Sequence, residues 1–100
     1  MLETFTLDTF QPHVGELFHI VVDENNRVPT KLTEVHRWGP GAAAGRDRVP
    51  FSLVFHTVPQ APVLPQQIYR VESDAMDAME LFLAPIGPDE RGMRYEAVFT

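Results

Sequence analysis

One hundred residues, 44% hydrophobic and 22% charged, allow one globular domain with a modest core. The absence of cysteine excludes disulfide stapling, thiolate zinc sites and cysteine nucleophiles. A formal charge of −6, with 8 Lys and Arg against 14 acids, argues against nucleic acid as a partner, and a patch at Arg37, Arg46 and Arg48 holds only three charges.

Residues 6–15 read as a short helical segment. Thr6 or Asp8 can cap its start, Gly15 can end it, and Leu7, Phe10 and Val14 recur at helical spacing. Residues 16–22 form the first strand, with Phe18, Ile20 and Val22 on one face and Leu17, His19 and Val21 on the other. A polar turn through Asn25 and Asn26 leads to a second strand over residues 28–38, where Pro29 lies near the start. Leu32 and Val35 are out of phase by one residue, which predicts a bulge or a twist between them.

Residues 39–50 carry three glycines and two prolines and read as the longest loop. Residues 51–58 are a clear strand, with Phe51, Leu53 and Phe55 facing the core and Ser52, Val54 and His56 opposite. A Pro-rich connection over residues 59–65 precedes a fourth strand at residues 66–72. Residues 73–78 read as a turn into a fifth strand at residues 79–86; a helix through Met76, Met79 and Leu83 is the alternative. Gly87 and Pro88 mark a hairpin into a last alternating strand, residues 93–100. Ending on a core strand, the chain reads as a complete small domain.

The fold expected is all-β: a small antiparallel barrel or sandwich of six strands with a short N-terminal helix, its successive strands paired as a meander. Phe18, Phe51, Phe55, Phe82, Tyr95 and Phe99 are the aromatic residues assigned to the core. No apolar run approaches the ~20 residues of a membrane span, and the first residues lack the pattern of a signal peptide. A cytoplasmic location without membrane contact is therefore expected.

No constellation in the chain requires catalysis. His13, His19, His36 and His56 show none of the close spacings of a zinc site, so no metal or other cofactor is expected. Glu72, Asp74, Asp77 and Glu80 read as a solvated acidic turn. Ser52 and His56 lie too far apart along a strand to form a nucleophile pair. The glycines around Arg46 lack the spacing, the Lys and the Ser or Thr of a phosphate loop.

The segments around Gln67-Ile68-Tyr69-Arg70-Val71, Pro85-Ile86-Gly87-Pro88 and Met93-Arg94-Tyr95-Glu96-Ala97-Val98-Phe99 resemble those of a family of uncharacterised bacterial proteins of about this length. The resemblance implies an association with phage-tail-collar-like proteins. The resemblance spans nearly the whole chain and implies no catalytic residues. Together these readings predict a non-enzymatic interaction or assembly module, acting as a homodimer or with a protein partner. The interface is assigned to Val54, His56 and Val58, with His19 and Trp38 as further contacts. The alternative is a small-ligand-binding barrel with His19, His56 and Tyr69 lining a pocket.

Overall fold

The computed structural model describes residues 5–38 and 50–99. A single turn of helix, α1 (Leu7–Phe10), continues as a 3₁₀ turn over Gln11–His13. Six strands follow: β1 (Leu17–Asp23), β2 (Asn26–Arg37), β3 (Phe51–Thr57), β4 (Gln67–Glu72), β5 (Met79–Asp89) and β6 (Gly92–Phe99). They close into an antiparallel barrel in the order β1-β2-β3-β6-β5-β4, with β4 paired back onto β1. The barrel is thus the all-β, six-stranded fold expected, and residues 73–78 lead into a strand rather than forming a helix.

The pairing corrects one expectation. β1-β2-β3 and β4-β5-β6 are each a meander, but β3 pairs with β6 and not with β4. The Pro-rich connection explains this. It leaves β3, buries Leu64 against the core and then enters β4 beside β1. Two tyrosines fix the crossing: the Leu64 N–H donates to the Tyr95 hydroxyl at 2.8 Å, and the Tyr69 hydroxyl donates to the Pro65 carbonyl at 2.5 Å.

Period-two alternation fills the barrel. Phe18 and Ile20, Val28 and Leu32, Leu53 and Phe55, Tyr69 and Val71, Leu81 and Leu83, and Tyr95 and Ala97 all point inward and are buried. One end is closed by aromatic rings. Phe51 and Phe99 are cross-strand partners stacked 4.6 Å apart, and Phe10 of α1 lies on both at 6.0 and 5.6 Å. Thr6 begins α1, its N–H donating to the Thr9 hydroxyl at 3.0 Å. Gly15, with φ +94°, turns the chain into β1.

The bulge expected in β2 is present: the register with β3 shifts between Leu32 and Glu34, leaving Thr33 as the extra residue. The last hairpin differs from expectation. β5 runs through Gly87 and Pro88 to Asp89, and the turn lies at Glu90 and Arg91. A register shift between Pro85 and Gly87, with φ +100° at Gly87, lets the two prolines sit in a strand. The hairpin packs tightly against β3: a Cβ on Gly92 would stand 1.7 Å from the Thr57 carbonyl oxygen.

Candidate functional site

β3 is buried along its whole length, on its outer as well as its inner face. This overturns the premise on which Val54 and His56 were assigned to an interface. Val54 is 3% and His56 6% exposed within the chain itself. β3 lies between β2 and β6, whose outer side chains fold over it; Glu34 and Glu96 stand opposite Val54, and Lys31 and Arg94 opposite His56. Of the five predicted contacts, Val58 and Trp38 are exposed and His19 is half-buried.

His56 is the centre of a polar tie across three strands. Its Nε2 lies 2.8 Å from Asp89 Oδ2 on β5, and its Nδ1 lies 2.6 Å from Thr33 Oγ1 in the β2 bulge. Asp89 is an acceptor, so Nε2 carries a proton and donates. The Thr33 hydroxyl is also 3.2 Å from the Val54 carbonyl oxygen. It can donate to Nδ1, or accept from Nδ1–H and donate to that carbonyl, so the chain of bonds closes with either protonation state of the ring. The hydrogen bond from His56, and then the Arg91 amide on Oδ1 at 2.8 Å, hold the Asp89 carboxyl below its ordinary value of 3.8. Hydroxyl, imidazole and carboxylate stand in the order of a nucleophile, its base and an orienting acid. The imidazole is almost wholly buried, and its two hydrogen bonds tie the β2 bulge and the last hairpin to β3.

The remaining predicted groupings do not form. His19 pairs with Pro29 on β2 and Glu72 on β4, while His56 lies on β3, with β2 between them. Tyr69 points into the core, so it shares no pocket with either histidine. Among the described residues no three His, Asp or Glu side chains are grouped to hold a metal ion. Arg46, Arg48 and the expected loop after Trp38 lie outside the described residues. Elsewhere on the wall, the Arg70 hydrogen bond at 2.7 Å, and then Arg27 at 2.8 Å, hold the Glu72 carboxyl below the ordinary value.

What the outer surface does present was missed in the sequence. Ile68 on β4 and Phe82 on β5 are cross-strand partners, and Val98 follows on β6. They are 63%, 52% and 57% exposed. Phe82 was assigned to the core, but its neighbours Leu81 and Leu83 both point inward, and alternation puts Phe82 in water. The uninterrupted apolar run concealed that parity. Beside this row, a cleft of about 270 Å³ lies over Val54, lined among others by Glu34, His36, Trp38, Ile86, Arg94 and Glu96.

A family profile described as a domain of unknown function, DUF6916, matches residues 5–99. The chain belongs to the DUF6916 family. No curated protein and no solved structure matches it. The family match extends from the segment before α1 to the end of β6, so the whole barrel is the DUF6916 domain. Among the described residues of this DUF6916 protein, no helix is long and apolar enough to cross a membrane.

Proposed function

We propose that the chain is a non-enzymatic interaction or assembly module that meets a protein partner, or another copy of itself, through the outer face of β4, β5 and β6. One observation supports this reading above all. Three large apolar side chains, each more than half exposed, lie on β4, β5 and β6, with Ile68 and Phe82 directly paired. Single exposed apolar residues are ordinary, whereas a row of them costs solvation and forms a natural docking patch. The exposed Trp38 beside the cleft extends the same side of the barrel. We further propose, from the resemblance noted in the sequence, that the module is an accessory component of a phage-tail-like system. The alternative of a small-ligand barrel has less support, because the barrel axis is filled by Phe18, Phe55, Leu81 and Tyr95.

The test is site-specific photocross-linking in cells that carry the protein natively. Benzoylphenylalanine in place of Phe82 should give one discrete adduct, while the same group in place of Lys31 on β2 gives none. Adducts of equal yield from both positions, or none from position 82, would overturn the reading.

A further inference from the structure

The cleft over Val54 lies on the outer wall of the barrel, away from its filled axis. Val54 forms an apolar floor, flanked in register by Glu34 on β2 and Glu96 on β6. Ile86 of β5 adds a second apolar side chain, and the half-exposed Trp38 lines the same space just beyond the end of β2. At about 270 Å³ the cleft falls just below the range of drug-sized pockets. It suits a ligand of about a dozen heavy atoms.

The charges that line the cleft cancel. Glu34 and Glu96 are negative, Arg37 and Arg94 positive, so an ion of either sign meets repulsion as well as attraction. Donors and acceptors both remain unused. Neither Glu96 nor Arg37 has a hydrogen-bond or ion-pair partner among the described residues. Arg94 is anchored: its Nε donates to the Gly87 carbonyl at 3.1 Å and its Nη2 to the Ile86 carbonyl at 3.3 Å, which leaves Nη1 to donate. Glu34 engages His36 through Oε1, which leaves Oε2 to accept. A sugar matches this set of groups. Each hydroxyl both donates and accepts, so one ring can meet carboxylates and guanidiniums together, while its C–H face lies on apolar and aromatic surface.

We propose that this cleft is a binding subsite for one neutral hexose unit of a glycan, hydrogen-bonded by Glu34, Arg37, Arg94 and Glu96, with Trp38 against its apolar face. The subsite goes beyond the protein-partner reading and does not depend on it, since the paired Ile68 and Phe82 lie outside the cleft.

Trp38 is the sole tryptophan of the chain, so its fluorescence reports on the cleft directly. The test titrates the full chain with glucose, galactose, mannose and N-acetylglucosamine. At least one of them should shift the emission saturably, with a dissociation constant in the low millimolar range expected of so small a ligand. Sorbitol, which has the hydroxyls without the ring, and leucine, a zwitterion with an apolar side chain, should leave the emission unchanged at the same concentrations. Glu96→Gln and Arg37→Gln should each weaken the binding about tenfold, the loss of one charge-assisted hydrogen bond, with the melting temperature as the check on folding. No saturable shift with any of the four sugars, an equal response to sorbitol or leucine, or full affinity in either folded variant overturns the inference.

Discussion

Replacing Phe55 and Phe82 by alanine, one at a time, separates the two faces of the barrel wall. Phe55 is fully buried, edge-on to Phe18 with ring centroids 5.5 Å apart, and lies between Leu32 and Tyr95 in register. Its removal forfeits the transfer free energy of the ring and leaves a cavity whose walls are fixed in strands. The expected cost is about 3–5 kcal/mol. Phe82 already leaves half its surface in water, and its register partner is the exposed Ile68. Its truncation should cost under about 1 kcal/mol, the scale of one cross-strand pair. In a domain of this size each kcal/mol moves the melting temperature by roughly 4–8 °C. Phe55→Ala should therefore lower it by at least about 12 °C, and Phe82→Ala by less than about 8 °C. Thermal melts followed by circular dichroism, with urea midpoints as a second measure, decide the matter. Comparable losses for the two variants would refute the inward and outward assignment of β3 and β5.

Gly92→Ala should destabilise the barrel by about 3 kcal/mol or more, because the new Cβ meets the Thr57 carbonyl at a positive φ. Gly87→Ala, also at positive φ but in open space, should cost only about 1–2 kcal/mol; urea midpoints rank the two. Ser52→Ala should be neutral or stabilising by up to about 1 kcal/mol in the same assay, since the Ser52 hydroxyl is buried without a hydrogen-bond partner among the described residues. Asp89→Asn should lower the melting temperature near neutral pH. Because folding depresses the Asp89 pKa, its stabilisation is complete above the ordinary value of 3.8 and fades as pH falls through the folded value. The wild type and the variant should therefore converge in strongly acidic solution, and a gap that widens on acidification would contradict the His56–Asp89 tie.

Local pattern made much of this protein legible. Alternation of apolar residues located six strands, the phase slip between Leu32 and Val35 announced the β2 bulge, and Thr6 marked the start of α1. Those signals are carried by neighbours in sequence, through backbone propensity and side-chain period, so they survive in the chain read alone. Parity failed where apolar residues run on without interruption, as through Leu81, Phe82 and Leu83, because no polar residue there reports which face meets water. Burial on β3 failed for another reason. Ser52, Val54 and His56 do lie opposite the core, yet they are covered by side chains from β2 and β6, and that pairing depends on barrel closure. The β3–β6 pairing also brought Asp89 to hydrogen-bonding distance of His56, which Thr33 meets from the β2 bulge. Contacts between residues so far apart in the chain are fixed by strand order and register, and only the tertiary structure decides those.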